Sequence, residues 1–116
     1  GYNGMPKGCS DDEYPWEREG IDTKYPYVVH AELNAILNAH GRNLQGSRLF
    51  VALFPCNECA KAIIQSGINE VIYISDKYAD SDATLASKRM LASAGVKLTR
   101  FASNKTITIS FDEKEV

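Results

Sequence analysis

What this sequence most clearly lacks is concentrated positive charge. Its 13 Lys and Arg residues are spread along the chain and are outnumbered by 15 Asp and Glu, which gives a net charge of −2. Proteins that hold long nucleic acids mainly through phosphates gather their cations on one segment, so we expect no polynucleotide partner. No apolar run approaches the ~20 residues that cross a bilayer, and no basic start leads into an apolar stretch as in secretory signals. We therefore expect a cytoplasmic protein with no membrane span.

Cysteine and histidine are also scarce, and their placement is informative. The chain has three cysteines and two histidines, and an odd number of cysteines does not suit a disulfide framework. Two of the cysteines form a C-x-x-C motif at 56–59. In a reducing compartment such a motif is typical of a metal or redox site.

The order of predicted elements indicates one α/β domain spanning 1–116. Residues 1–28 are rich in Gly, Pro, Asp and Tyr and have weak periodicity, which predicts a long loop. Beyond them the apolar pattern predicts helix 30–40, strand 48–54, helix 56–67, strand 70–75, helix 82–94 and strand 96–101. Strands that alternate with helices in this way favour a sheet with parallel strands.

The same pattern predicts which side chains are buried. The strands at 48–54 and 70–75 are continuous apolar runs, so both are predicted to be buried. The second and third helices are predicted to turn two sets inward: Ala60, Ile63 and Ile64, and then Ala83, Ala86, Met90 and Ala94. The first and second helices are predicted to end at Gly41 and at Gly67. The third helix is predicted to be capped by Ser81 or Asp80.

The end of the chain has a different pattern. Residues 105–111 alternate Ile and Phe with Thr and Ser, which predicts a half-exposed or edge strand. The acidic residues at 112–116 are expected to fray.

Three candidate metal ligands come from two predicted helix starts. His30 opens one helix, while Cys56 and Cys59 lie at i and i+3 on the first turn of another and can face the same way. Zinc binds imidazole nitrogen and thiolate sulfur, and a helix N-terminus stabilises thiolates. A fourth ligand would make the site structural rather than catalytic. Cys9 in the loop remains possible, whereas His40 lies roughly 15 Å along its helix from His30.

Glu32 favours a catalytic site. Two residues after His30, its carboxylate is placed to face a water on the metal without binding the metal itself, and to accept and return that water's proton. A glutamate in the first turn of a helix is also favoured by the helix dipole alone. The pattern H-x-E followed by P-C-x-x-C is the signature of zinc-dependent nucleobase deaminases. The chain has both halves, in "HAE" at 30–32 and "PCNEC" at 55–59.

The chain also resembles a known family over residues 1 to about 101. The stretches "GYNGMPKGCSDD", "TKYPYVVHAELNAI", "LFVALFPCNECAKAIIQSGI" and "VIYISDKYADSD" are similar to those of deoxycytidylate (dCMP) deaminases. The resemblance implies hydrolysis of dCMP to dUMP and ammonia on the route to thymidylate. It further implies a homohexamer activated by dCTP and inhibited by dTTP, with Mg²⁺ accompanying the triphosphate. The implied fold is the three-layer α/β/α cytidine deaminase-like fold with a mixed sheet, here lacking the family's first helix and first hairpin.

The resemblance assigns roles to individual residues. It implies that His30, Cys56 and Cys59 hold zinc and that Glu32 moves the proton. Asn3 would touch the sugar hydroxyl, or be only a turn residue of the Asn-Gly pair. An allosteric nucleotide, or only a surface loop, is implied for Asn3, Gly4, Met5, Pro6, Gly8, Cys9, Ser10 and Asp11. Val29 stands where some relatives have Cys, which zinc binding does not require.

The remaining substrate contacts follow from the chemistry of deamination. Water attacks C4 of the pyrimidine, and the backbone N–H groups around Ala31 and Cys56 are candidates to hold polar atoms of the base. Phe54 and Tyr78 are candidate walls for the ring, and Lys77 is a candidate phosphate partner. Each of these three residues is also of a type that is common as an ordinary core or surface residue.

Three alternatives remain open at this point. The first is deamination of another nucleoside or nucleobase. The second is a zinc-stabilised binding module without catalysis, which a fourth protein ligand would indicate. The third is a thiol redox protein, which gives no reason for the His-Ala-Glu sequence.

Overall fold

Six regular elements make up the fold of residues 1–111, the part of the chain that the computed structural model describes. In chain order they are α1 Ala31–Leu37, β1 Arg48–Leu53, α2 Asn57–Gln65, β2 Glu70–Ser75, α3 Asp82–Ser93 and β3 Lys97–Arg100. This order confirms the predicted alternation of strands and helices. The first 28 residues contain no helix or strand, as predicted, although Gly4 forms an isolated antiparallel bridge with Val29.

The three strands form one parallel sheet in the order β1-β2-β3. Leu49, Val71 and Leu98 lie in register across it, and all three belong to the face that packs on the helices. Parallel strands in consecutive order are what the alternation predicted. Within residues 1–111 every strand pair is parallel, so the mixed sheet expected from the family resemblance is not seen there.

The core lies between this face and the helices. Ile63 of α2, Val71 of β2 and Leu91 of α3 are fully buried at its centre. The predicted inward face of α2 is confirmed, since Ala60 and Ile63 are buried and Ile64 is partly buried. These side chains fix α2 against the sheet, and the first turn of α2 carries the C-x-x-C motif.

The predicted inward stripe of α3 is wrong. Its buried residues are Thr84, Ser87 and Leu91, whereas Ala83, Ala86 and Ala94 are exposed and Met90 is only partly buried. The physical reason is area: one leucine buries far more apolar surface than an alanine, so Leu91 sets the face that turns inward. The predicted cap is correct, because Ser81 Oγ accepts a hydrogen bond from the Thr84 N–H at 3.2 Å.

The other face of the sheet has no covering layer in the described part of the chain. Phe50 on β1 is 68% exposed and Ile74 on β2 is 56% exposed. The prediction that strand 48–54 is buried is therefore wrong for β1, because burying both faces of a strand requires helices on both sides. The third layer of the expected α/β/α arrangement is likewise not seen within residues 1–111.

The remaining differences between the predicted and the observed elements concern where the elements end. α1 stops at Leu37 rather than at Gly41, because His40 and Gly41 both have positive φ angles of 53° and 79°. The stop after α2 is confirmed at Gly67, whose φ is 78°.

Residues 105–111 are exposed and form no strand. The prediction of a strand there is wrong, because no neighbouring strand within residues 1–111 pairs with them. The predicted fraying concerns 112–116, which lie outside the described residues.

Among residues 1–111, no helix combines the length and the apolarity that crossing a bilayer requires.

Candidate metal centre and active site

Two helix starts meet beyond the carboxyl end of β1. His30 is the N-cap of α1 and Cys56 is the N-cap of α2, and neither uses its side chain to cap its helix. The position of α2 is fixed by the sheet, because the Phe54 N–H donates to the Ser75 carbonyl at 2.8 Å just before the buried Pro55. Both N-cap side chains are therefore free to face a common ion.

The donor atoms of His30, Cys56 and Cys59, named here the His-Cys-Cys cluster, fit zinc. His30 Nδ1 lies 3.4 Å from Cys56 Sγ and 3.5 Å from Cys59 Sγ, and all three donor atoms lie within 4.8 Å of one another. Tetrahedral zinc with bonds of about 2.3 Å to sulfur and about 2.0 Å to nitrogen separates these atoms by about 3.5 Å. The two nitrogen–sulfur distances therefore match those of a zinc site.

The two thiols of the cluster share one proton. The hydrogen bond that the Cys59 thiol donates, with a smaller contribution from the His30 ring, lowers the pKa of Cys56 to about 5. The same hydrogen bond, together with burial, raises the pKa of Cys59. Neighbouring thiols lose both protons only beside a strong positive charge, which a divalent metal ion supplies.

No fourth protein ligand joins the cluster within residues 1–111. Cys9 lies in the loop, where its hydrogen bond with Tyr14 raises the pKa of that tyrosine. His40 is exposed in the turn after α1. Glu58, between the two cysteines, pairs with Lys61 at 2.8 Å on the solvent side of α2. Three protein ligands are typical of catalytic zinc sites, whereas structural sites have four.

Glu32 lies beside the cluster without belonging to its donor set. The nearby Glu32 carboxylate contributes to raising the pKa of Cys59, after the larger effects of Cys56 and of burial. Glu32 also lines the same cavity as His30 and Cys56, yet it is not one of the mutually close donors. This placement suits a proton carrier next to the metal.

A cavity of about 600 Å³ opens over the cluster. That volume is within the range of small-molecule binding pockets. His30, Glu32 and Cys56 line it, while Cys59 is buried behind them. The lining also includes every residue predicted to contact substrate: Asn3, Ala31, Phe54, Lys77 and Tyr78.

Asn3 has a structural contact that the sequence did not indicate. Its Oδ1 accepts a hydrogen bond from the Ala31 N–H at 2.8 Å, and Asn34 Nδ2 donates to the Tyr2 carbonyl at 2.8 Å. A Cβ on Gly1 would lie 2.2 Å from the Ala31 carbonyl oxygen, so only glycine fits there. The Ala31 N–H, which was predicted to contact substrate, is thus paired with Asn3 in this structure, and its contact with substrate stays a prediction.

The aromatic candidates differ in their surroundings. Phe54 is 6% exposed and packs edge-on against Tyr73 at a centroid distance of 4.9 Å, so it belongs to the core and also walls the cavity. Tyr78 is half exposed, and Lys77 Nζ lies 5.1 Å from the centre of its ring. This pair lies at the exposed edge of the cavity.

The residues predicted to bind an allosteric nucleotide differ in their position relative to the cavity. Asn3 lines the cavity, whereas the lining includes none of residues 4–11. Those residues form their own turn, in which the Cys9 N–H donates to the Pro6 carbonyl at 3.0 Å and Gly8 has a φ of 86°.

The cavity residues that sequence reasoning missed include Arg18, Lys24 and Tyr25. They lie in the long loop, where no periodicity places a side chain. The only signal in the sequence was two cations, Arg18 and Lys24, among the six acidic residues of 11–24. Lys24 Nζ lies 5.9 Å from both the Trp16 and the Tyr25 ring centres.

Comparison with known proteins agrees with this geometry. Residues 1–75 match the family described as the cytidine and deoxycytidylate deaminase zinc-binding region. The chain belongs to this family. The family's description and the donor set both support zinc as the metal that the His-Cys-Cys cluster would hold.

Curated members of the deaminase family are similar over almost the whole chain. The chain is 56% identical to the deoxycytidylate deaminase of Homo sapiens, over 97% of this chain and 65% of that protein. It is 54% identical to the probable deoxycytidylate deaminase of Drosophila melanogaster, over 97% of this chain and 60% of that protein. The chain thus spans somewhat less than two thirds of the length of these relatives.

Solved structures of the family share the fold. The dCMP deaminase of cyanophage S-TIM5, in its complex with dCMP and dUMP, matches with a TM-score of 0.63 and 27% identity, over 85% of this chain and 68% of that one. Its apo form matches with a TM-score of 0.60, over 85% and 67%. These matches confirm the predicted cytidine deaminase-like fold and the family resemblance.

Proposed function

We propose that this deaminase hydrolyses dCMP to dUMP and ammonia and so supplies dUMP for thymidylate synthesis. The observation that carries the proposal is a cluster of three candidate zinc ligands, with the carboxylate of Glu32 outside that donor set, in the lining of one cavity. The names of the most similar relatives support dCMP as the substrate.

In this proposal Glu32 performs the proton transfers. Zinc bound to the cluster would supply a nucleophile at neutral pH, because it lowers the pKa of a coordinated water to about 7. Glu32 accepts one proton from the attacking water and delivers it to N3 of the base. It then takes the second proton from the new hydroxyl group on C4 and passes it to the amine, which leaves as ammonia when the C4–N bond breaks and the C4 carbonyl forms. Its position in the cavity lining, next to His30 and Cys56, suits this role. The buried Phe54 bounds the cavity and keeps water away from one side of the base.

The charges around the cavity support a nucleotide rather than a nucleoside. Arg18, Lys24 and Lys77 all line it, and cations are the usual partners of a phosphate group. Lys77, next to the aromatic ring of Tyr78, is our candidate for a direct phosphate contact. Asn3 keeps its amide N–H groups for the sugar hydroxyl, because its cap uses only the oxygen.

Regulation and assembly are part of the same proposal. A dCTP activator and a dTTP inhibitor, each with Mg²⁺, would bind the loop formed by Asn3 and residues 4–11, most of which stands apart from the cavity lining. A homohexamer is supported by the exposed apolar side chains of Phe50 and Ile74 on the open sheet face. A cytoplasmic location suits the thiolate ligands, which a reducing compartment keeps from oxidation.

Two other functions are less well supported. A deaminase of cytidine or of a free base would have no use for the three cavity cations. A zinc-stabilised module without catalysis would be expected to complete the metal site with a fourth protein ligand, which residues 1–111 do not provide.

The test is ammonia release by the zinc-loaded protein from dCMP, cytidine and a short oligonucleotide. We expect the highest kcat/KM for dCMP, an increase with dCTP and Mg²⁺, and a decrease with dTTP. Faster turnover of cytidine would overturn the substrate assignment. Full zinc content with no release from any of the three would indicate the non-catalytic module.

A further inference from the structure

An ion pair lies behind the aromatic wall of the cavity. Lys88 Nζ on α3 donates a hydrogen bond to Asp76 Oδ2 at 2.9 Å. The pair thereby joins α3 to the residue that directly follows β2. The two side chains are only 36% and 24% exposed, so water screens this pair less than it screens a typical surface pair.

The same ammonium group contacts the wall itself. Lys88 Nζ lies 5.3 Å from the centre of the Phe54 ring, and Tyr73 meets that ring edge-on at 4.9 Å and 83°. A cation within about 6 Å of a ring centre is attracted to its face. Phe54 is therefore held by a cation and by an aromatic edge.

Asp76 keeps the ammonium group in this position. The hydrogen bond from Lys88 lowers the pKa of the Asp76 carboxyl, and the charges of Lys88 and Arg100 add to the effect. The carboxylate is thus charged at neutral pH and restricts a side chain that would otherwise sample many rotamers.

Neither member of the pair reaches the cavity directly. Phe54 lines the cavity, whereas its lining includes neither Asp76 nor Lys88. Any influence of the pair on a bound ligand would therefore pass through the Phe54 ring.

We propose that Lys88, anchored by Asp76, is a positioning residue that fixes the Phe54 ring as the surface against which a planar pyrimidine lies. The proposal rests on the proposed function for the identity of the ligand. A Phe54 ring that is already fixed loses no conformational entropy when the base binds, so fixing the ring strengthens binding. It acts equally on the bound substrate and on the transition state.

Steady-state kinetics of the zinc-loaded protein tests this role. Lys88→Met removes the charge and keeps the bulk of the side chain, and we expect KM for dCMP to rise about five- to tenfold with kcat within about twofold of wild type, the result of lost uniform binding. Lys88→Arg retains a cation and is expected to stay within about twofold in both constants. A fall in kcat at unchanged KM in Lys88→Met, or no recovery in Lys88→Arg, would overturn the proposal.

A double-mutant cycle separates action through the ring from a general loss of structure. In a Phe54→Leu background the ring is absent, so Lys88→Met is expected to change KM by less than about twofold. The same five- to tenfold rise in that background would show that Lys88 acts by another route.

Fluorine NMR supplies a readout that needs no turnover. The chain labelled with 4-fluorophenylalanine gives a Phe54 signal that is identified by its loss in Phe54→Leu. We expect Lys88→Met to shift or broaden this signal, while Lys88→Arg and the exposed neighbour Arg89→Met leave it in place. An unchanged signal in Lys88→Met overturns the positioning role. Absence of ammonia release by the wild type would instead count against the deaminase proposal alone.

Discussion

Asn3 caps a helix that begins 28 residues later in the chain, since its Oδ1 accepts the Ala31 N–H at 2.8 Å. The local N-cap residue is His30, whose ring faces the two cysteine sulfurs instead. The helix start therefore lacks a cap of its own, and Asn3 supplies the acceptor. One contact thus ties the N-terminal segment to the helix that begins after His30 and contains Glu32.

The two functions of Asn3 can be separated by substitution. Asn3→Ala removes the acceptor and is expected to cost about 1 kcal/mol of unfolding free energy, as helix caps do. Asn3→Asp keeps the acceptor and the stability but loses the amide N–H groups and adds a negative charge near a nucleotide, so KM for dCMP is expected to rise. Urea unfolding and steady-state kinetics measure the two effects. Equal KM values in Asn3→Asp and wild type would show that Asn3 acts only as the cap of α1.

The cysteine pair predicts an unusual pH profile for the metal-free protein. A lowered pKa means that the thiolate forms at lower pH, so alkylation of Cys56 by iodoacetamide should rise around pH 5 rather than near 9. Cys59, whose pKa is raised, should stay unmodified over the same range. Mass spectrometry after timed alkylation locates the modified residue. Zinc is expected to protect both residues, and a Cys56 midpoint above pH 8 would contradict the shared proton.

Two leucines on α3 provide a matched test of how that helix packs. Leu91 is fully buried and Leu85 is 53% exposed. Leu91→Ala is expected to lower the unfolding free energy by about 2–5 kcal/mol through the cavity it leaves, and Leu85→Ala by no more than about 0.5 kcal/mol. Urea denaturation compares them directly. Similar losses for both substitutions would mean that the helix faces the sheet in another rotation.

The phosphate contact proposed for Lys77 predicts a difference between two substrates. Lys77→Met should raise KM for dCMP about tenfold, within the range of charge-assisted hydrogen bonds, while leaving KM for cytidine unchanged. Lys61→Met is the control, because Lys61 lies on the solvent side of α2 and pairs with Glu58. Equal changes for dCMP and cytidine would point to a general disturbance of the cavity.

Much of the architecture was predictable because it depends on local patterns. Apolar periodicity located every helix and strand up to Arg100, and the i, i+3 spacing of Cys56 and Cys59 placed both sulfurs on one side of a helix start. His30 joined them because its own helix begins beside the same end of the sheet. The roles of these residues in catalysis are still proposals.

What the sequence did not reveal depends on distant contacts. The rotation of α3 follows the single large side chain of Leu91 rather than the more numerous alanines. The exposure of Phe50 depends on which layers cover the sheet. The cap from Asn3 and the cavity position of Arg18 arise in an aperiodic loop, where no local pattern indicates which side chains approach the site.

The most direct test concerns Glu32, the carboxylate that lies beside the His-Cys-Cys cluster without joining it. Glu32→Gln and the control Glu58→Gln, between the two cysteines, are each measured for zinc content and for dCMP turnover. We expect both variants to hold one zinc ion per chain, Glu58→Gln to stay close to wild-type turnover, and Glu32→Gln to lose at least about 10²-fold in kcat. Wild-type turnover in Glu32→Gln, or loss of its zinc, would contradict the assignment of Glu32 as the proton carrier of a zinc deaminase.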